Sequence, residues 1–209
     1  MRMSRRFYRV TRDLHLYSGM FVSPFVLVFA ASVFFLVHAW LPKPSPAGPR
    51  KVSDLPLPEN LETLSGRALI DALRPALEKA GVAGEIGFVR HLAKEHQFIA
   101  PVSVPGRLST VTIDVARREG AVDSQVTGLA DAVVVLHKSP GPHLADLRMN
   151  WFYMGIWRWL ADATVYLVLF LSLSGIYLWY VLRSERRIGL GLLAAGALSF
   201  LLIVYGLGH

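Results

Sequence analysis

The chain has 209 residues and no cysteine, and its 22 Lys and Arg exceed its 15 Asp and Glu by enough to give a formal net charge of +7. Its mean hydropathy of +0.42 is too high for an ordinary soluble domain. The lack of cysteine excludes disulfides, thiol catalysis and thiolate metal ligands. Composition therefore points to a membrane protein with one modest domain outside the bilayer.

Three segments are long and apolar enough to cross a membrane. Residues 14–42 contain no Lys, Arg, Asp or Glu over 29 positions, residues 163–182 are uncharged over 20, and residues 188–208 over 21. A hydrocarbon core takes about 20 residues of helix. We predict transmembrane helices at 14–42, at 151–182 with an interfacial start, and at 188–208.

The arginines predict the orientation of these spans. The basic N-terminus, residues 1–13, and the short turn at 183–187 carry a clear positive excess, whereas residues 42–150 hold 13 Lys and Arg against 12 Asp and Glu. Under the positive-inside rule, both basic segments face the cytoplasm. We expect a multi-pass protein of the bacterial inner membrane, with its C-terminus in the periplasm.

The predicted topology explains the net positive charge, so this charge does not indicate binding of nucleic acid. The outer segment has no basic stripe interleaved with aromatic residues, so nucleic acid is not an expected partner. The expected partners are the lipid bilayer and a membrane protein, either a different one or a second copy of this chain.

Residues 43–150 are predicted to form a small extracytoplasmic α+β domain. A proline-rich exit at 43–49 precedes a helix at 66–80, where Pro75 should cause a kink or a split. Alternating patterns predict strands at 85–92, 97–104 and 108–116, and Pro101 suggests that the second strand is interrupted or lies at an edge. Residues 130–136 are an apolar strand or helix. One helix on an antiparallel sheet of about three strands is the expected arrangement.

Several weak motifs occur in a characteristic order. The first span opens on Asp13-Leu14-His15 and closes on His38, and the outer domain ends with Ile113-Asp114, Gly120-Ala121-Val122 and Leu136-His137-Lys138. The second span contains Leu171-Ser172-Leu173-Ser174-Gly175-Ile176-Tyr177-Leu178-Trp179 before arginines. Over most of residues 10–187 the chain resembles the PepSY-associated transmembrane protein family.

This resemblance implies a PepSY-like outer domain and a haem b cofactor. Longer relatives include inner-membrane reductases of siderophore-bound iron, which hold haem b between histidines of their spans. On that basis His15, His38 and His137 are candidate haem ligands. The chain departs from the family pattern at Ala31-Ser32-Val33, and it has fewer spans than the larger reductases.

The positions of the histidines suggest which of them can pair. At the outer face His38 can meet His137, His143 or His209, and His137 is the expected second ligand because a short connection separates it from Trp151. At the inner face only His15 is present, so a site there needs a second protomer or five-coordinate iron. The alternative for His15 and His38 is an interfacial imidazole that bonds a carbonyl or a lipid phosphate.

Other candidates have simpler explanations as well. Arg158 and Asp162 are spaced as a helical ion pair, and the alternative is that Arg158 holds a haem propionate. Ser172, Ser174 and Gly175 suit close helix packing or contact with a flat cofactor. His91 and His96 flank a predicted hairpin turn without an obvious third metal ligand.

Two functions remain open from the sequence. One is a haem b-binding electron-transfer or ferric-reductase component of the inner membrane. The other is a non-enzymatic accessory subunit whose periplasmic domain binds a peptide, a peptidase or a larger complex. No hydrolase, kinase or metalloprotease motif is present.

Overall fold

The computed structural model describes residues 5–38, 40, 43–139, 147–182 and 186–208. The chain divides into two compact units. One unit contains the chain up to Pro24 together with the chain from Ala163 onwards, and the other contains residues 25–162. His143 and His209 lie outside the described residues, as does Arg183 in the predicted cytoplasmic turn.

Within the described ranges, three helices are long and apolar enough to cross a membrane. These are α1 (Arg5–His38), α4 (Phe152–Leu182) and α5 (Arg186–Leu207). Their surfaces are covered with exposed apolar side chains, and α5 has no buried residue. Such helices are unfavourable in water and suit lipid. The prediction of three helices apolar enough to cross a membrane, with one sheet-containing domain between the first and the second, is confirmed.

The chain between α1 and α4 forms an antiparallel sheet of long and short strands. Three eight-residue strands form its centre, namely β5 (Gln97–Val104), β6 (Arg107–Asp114) and β7 (Glu119–Val126). The described part of the chain adds four short strands: β1 (Ser45–Pro46) and β2 (Arg50–Val52) pair with β7, and β3 (Glu85–Ile86) and β4 (Arg90–Leu92) pair with β5. The sheet is thus larger than the three strands predicted.

β5 is not an edge strand, although it contains Pro101. β5 pairs with β6 on one side and with β3 and β4 on the other, and the predicted strand at 85–92 is divided between these two short strands. Pro101 lies opposite the gap between them, and its carbonyl accepts a hydrogen bond from Gly87 N–H at 2.8 Å. A proline is tolerated there because no neighbouring strand requires its missing N–H.

Helix α2 (Gly66–Lys79) covers one face of the sheet. It buries Leu69, Ile70, Leu73, Ala76 and Leu77 against inward residues of the strands, including fully buried Phe98, Val111 and Ile113. Pro75 does not split α2, because it lies on the exposed face, where water can hydrate the carbonyl left without a helical donor. The apolar segment after β7 is helical and forms α3 (Gly128–Lys138).

Candidate functional site: two histidine–serine pairs

His15 forms a hydrogen bond with a serine in the unit that contains the start of α1 and most of α4. Its Nδ1 lies 2.7 Å from Oγ of Ser174, which is 159 positions later in the chain. The Ser174 hydroxyl also lies 2.6 Å from the carbonyl oxygen of Phe170, four residues earlier in α4. A carbonyl oxygen can only accept a hydrogen bond, so the Ser174 hydroxyl donates to the carbonyl oxygen of Phe170. The imidazole Nδ1–H of His15 therefore donates to Ser174 Oγ.

Gly175 and Tyr177 follow the serine of α4 that is hydrogen-bonded to His15. Gly175 has no side chain on this side, and a Cβ built there would lie 3.5 Å from Cε1 of His15. Tyr177, one turn further along α4, has a buried hydroxyl for which the described residues supply no hydrogen-bond partner. Its ring meets Phe7 edge-on at 5.5 Å. A cofactor edge or polar ligand group near Tyr177 would satisfy that hydroxyl.

His137 repeats this arrangement in the other unit. Its Nδ1 lies 2.7 Å from Oγ of Ser32 in α1, and the Ser32 hydroxyl lies 2.5 Å from the carbonyl oxygen of Phe29. The Phe29 ring packs edge-on against the imidazole with centroids 5.3 Å apart. Ser32 is fully buried, although most residues of its apolar helix are exposed or half-buried.

Both pairs therefore select the same imidazole tautomer. The hydrogen is on Nδ1, and Nε2 carries the free lone pair that a metal ion requires. In metal sites the ligating histidine usually donates its other ring N–H to a fixed acceptor, as Nδ1 does here. Within the part of the chain that the structure describes, neither His15 nor His137 has a hydrogen bond at Nε2.

His38 occupies a different environment. Its ring stacks on Trp40 with centroids 4.9 Å apart and lies 4.6 Å from the Phe34 ring, and the residue is exposed. The serine bonded to His137 is six residues before His38, which is about 9 Å along α1. The pairing of His38 with His137 as two ligands of one iron stays a prediction.

Arg158 makes the ion pair that its spacing predicts. Its Nε lies 3.9 Å from Oδ2 of Asp162, and its Nη1 lies 2.9 Å from the sulfur of Met149. Both partners of the ion pair are more than half exposed, so this contact contributes little to stability. The guanidinium remains accessible to an anionic group.

His91 and His96 face a carboxylate from another part of the domain. Nδ1 of His96 is 2.9 Å from Oε1 of Glu62, and Nε2 of His91 is 3.8 Å from the same oxygen. The His91 ring also stacks on Phe98 with centroids 4.3 Å apart. Among the described residues, no group of three or more His, Cys, Asp or Glu is arranged to hold a metal ion.

A polar clamp that sequence reasoning missed holds the segment before α4 to the sheet. Asn150 accepts a hydrogen bond from Ile86 N–H at 3.0 Å and donates to Ile86 O at 2.7 Å, as a neighbouring strand would. Glu85 accepts the backbone N–H groups of Met149 and Trp151. Burial raises the pKa of Glu85, while these N–H donors and nearby Arg148 act in the opposite direction. No local motif announces this clamp, because its partners are more than 60 positions apart.

Comparison of the chain with protein-family models, with curated proteins and with solved structures finds no match.

Proposed function

We propose that this chain is a short PepSY-type protein of the bacterial inner membrane that binds haem b and transfers electrons. The observation that carries the proposal is the repeated histidine–serine–carbonyl arrangement at His15 and His137. Each imidazole has its Nδ1 fixed by a serine and its Nε2 free of protein partners among the described residues. Two imidazoles hydrogen-bonded to serines of apolar helices are more than helix packing requires, because polar groups inside a membrane usually serve a function.

The residues around His15 fit a haem edge in three respects. The Nε2 lone pair can bind iron, Gly175 lets the His15 ring lie close to α4, and the Tyr177 hydroxyl has no hydrogen-bond partner among the described residues. A surface cavity of about 560 Å³ in the same unit is lined by Arg5, Arg9 and Arg12 together with Tyr8, Val181 and Leu182. These arginines are suited to the propionate groups of a haem.

The residues around His137 fit a single axial ligand. Ser32 fixes the ring, and Phe29 packs against its edge. His38 fits as a second ligand only if its ring leaves Trp40 and Phe34. Arg158 can bind a haem propionate at this end of α4 in place of its ion pair with Asp162.

Bound haem iron would supply a one-electron couple at each site. The serines have a positioning role, since they hold the Nδ1 protons and the ring orientations. The apolar side chains of the helices exclude water from the ligands. An extracytoplasmic acceptor such as chelated iron is the substrate class that the family resemblance suggests.

The haem content of single variants tests this proposal. His15→Ala and His137→Ala should each lower the haem bound to the purified protein by about half, because each removes one ligand. His91→Ala is the matched control and should leave the content unchanged, since this ring belongs to the sheet domain. A wild-type protein that stays colourless after expression with ample haem would refute the proposal.

One observation favours the accessory-subunit function as the second candidate. A cavity of about 520 Å³ lies at the β6–β7 end of the sheet, and its lining includes Lys51, Gln97, Thr112, Asp114, Arg117 and Glu119. Side chains of both charge signs beside paired strands suit a polar peptide. Binding of soluble periplasmic peptides by a colourless protein, abolished by Arg117→Glu, would support this candidate.

A further inference from the structure

Helix α3 combines an apolar face with a polar face. Leu129, Val133 and Leu136 share one side of the helix, because their spacing of four and three residues returns to the same direction. Asp131 and Lys138 lie on the opposite side. Leu129 is 82% exposed, whereas Val133 and Leu136 are half-buried.

The C-terminal end of α3 is fastened to two helices that are apolar enough to cross a membrane. His137 bonds to Ser32 in α1, and the indole N–H of Trp157 in α4 donates to the carbonyl oxygens of Leu136 and Ser139 at 2.9 and 3.2 Å. Ser32 is six residues before the end of α1 at His38. The last turn of α3 is therefore about 9 Å back along α1 from that helix end.

The neighbouring end of the sheet is apolar and basic. In the register of β6 and β7, Arg107 lies opposite Val126, next to Leu108. Val126 is 51% and Leu108 is 41% exposed. The exposed cation Arg107 flanks this surface, as expected where side chains reach lipid phosphates.

The space between α3 and the first turns of α4 suits a hydrocarbon chain. A cavity of about 280 Å³ there is lined by Pro105, Leu136, Trp151, Tyr153, Trp157 and Leu160. Tryptophan and tyrosine are the residues that concentrate at the membrane–water interface. An aqueous domain surface would leave this cavity unfavourably hydrated.

From these contacts we propose that α3 is an interfacial membrane helix, whose Leu129, Val133 and Leu136 face lies among the acyl chains of the outer leaflet. Its occupant is the lipid bilayer, because α3 is hydrogen-bonded to the apolar helices α1 and α4, tryptophan and tyrosine line the neighbouring cavity, and the cation Arg107 borders the exposed end of the sheet. Asp131 lies on the face turned away from the acyl chains. The outer domain then rests on the membrane through α3 and the β5–β6 turn.

The natural absence of cysteine permits a direct test in the full chain. Single variants Leu129→Cys, Asp131→Cys and Glu119→Cys are labelled with a nitroxide and reconstituted in nanodiscs of phosphatidylethanolamine and phosphatidylglycerol. Leu129 and Asp131 lie on opposite faces of one helix, and Glu119 lies at the far end of β7, about 23 Å from Val126. Collision with oxygen, which concentrates in acyl chains, is compared with collision with a water-soluble nickel chelate.

We expect the label at position 129 to collide several-fold more with oxygen than with nickel, and the labels at 131 and 119 to show the reverse. Equal nickel access at 129 and 119 would overturn the proposal. Protection of position 129 from both reagents, with spin–spin broadening, would mean that a second copy covers this face and would also overturn it. Haem content plays no part in the readout, so the result is independent of the proposed function.

Discussion

The imidazole of His137 and the hydroxyl of Ser32 lie 2.7 Å apart although 105 residues separate them in the chain. The contact joins α3 to α1 and fixes the tautomer of the histidine, because the serine proton is already donated to Phe29. Ser174 has the same geometry with His15, so each serine fixes the tautomer of one histidine.

Ser32→Ala should release His137 from its single tautomer. The Nδ1–H loses its acceptor, so the proton redistributes between the ring nitrogens and the contact between α3 and α1 weakens by about 1 kcal/mol. Nitrogen-15 chemical shifts of labelled histidine report the tautomer. Ser172→Ala is the control, because the Ser172 hydroxyl bonds only Val168 O in the described structure. An unchanged spectrum of His137 in Ser32→Ala would contradict the assignment.

Gly189→Ala should disrupt the packing of α5 on α4. A Cβ at position 189 would overlap the indole of Trp179, far inside van der Waals contact. The rigid indole must move, and we expect a destabilisation of about 1 to 3 kcal/mol. Trp179 fluorescence and the midpoint of thermal unfolding in detergent measure the effect.

Gly191→Ala supplies the matched control for that experiment, because a Cβ at this position meets nothing within 4 Å. It should be neutral or slightly stabilising, since alanine favours helix over glycine. Equal effects of the two substitutions would show that Trp179 does not pack on α5 in this way.

Acidification should stabilise the folded protein through Glu85, because protonation removes the cost of burying its charge. Burial raises the pKa of this carboxyl in the folded protein. Its contribution to stability is therefore fully present below the pKa of an unfolded glutamate, about 4.3, and is lost as pH rises through the higher folded value. Denaturant unfolding of the full chain at several pH values above 4.3 should show greater stability at the acidic end.

Glu85→Gln should remove part of that pH dependence, because the amide does not titrate. Glu119→Gln, which changes an exposed carboxyl of the same sheet, is the control for general charge effects. A pH slope that Glu85→Gln leaves unaltered would contradict the assignment to Glu85.

The predicted orientation is tested by reporter fusions. Alkaline phosphatase fused after Gly120 should be active, because the positive-inside rule places the sheet domain in the periplasm. A fusion after Arg186 should be inactive. The reverse pattern would overturn the orientation and the assignment of each histidine to a face of the membrane.

The helices were predictable from sequence because their signal is local. Uncharged runs of 20 or more residues require no knowledge of their partners, and the alternation of β6 and the spacing of α2 are equally local. By contrast β7, which contains Gly120, Ala121 and Ser124, has too few large apolar residues to give a strand pattern. The short strands β1 to β4 exist only because longer neighbours offer unpaired backbone groups.

The candidate site was only partly predictable for the same reason. The sequence identifies His15 and His137, and it marks Ser174 and Gly175 as small residues in an apolar helix. It contains no signal that pairs Ser32 with His137, because that contact depends on how α3 packs against α1. The pairing of His38 with His137 rests on chain connectivity alone, which does not specify the direction of a side chain, and it stays a prediction.

The reduced-minus-oxidised optical spectrum of the protein, purified from haem-sufficient cells, detects the proposed haem b itself. We expect a haem b spectrum in the wild type and its loss in the double variant His15→Ala/His137→Ala. His38→Ala determines whether His38 is a second ligand, because its removal would then convert a sharp reduced α-band into a broad one. A colourless wild-type protein, or a double variant with undiminished haem, would contradict the account.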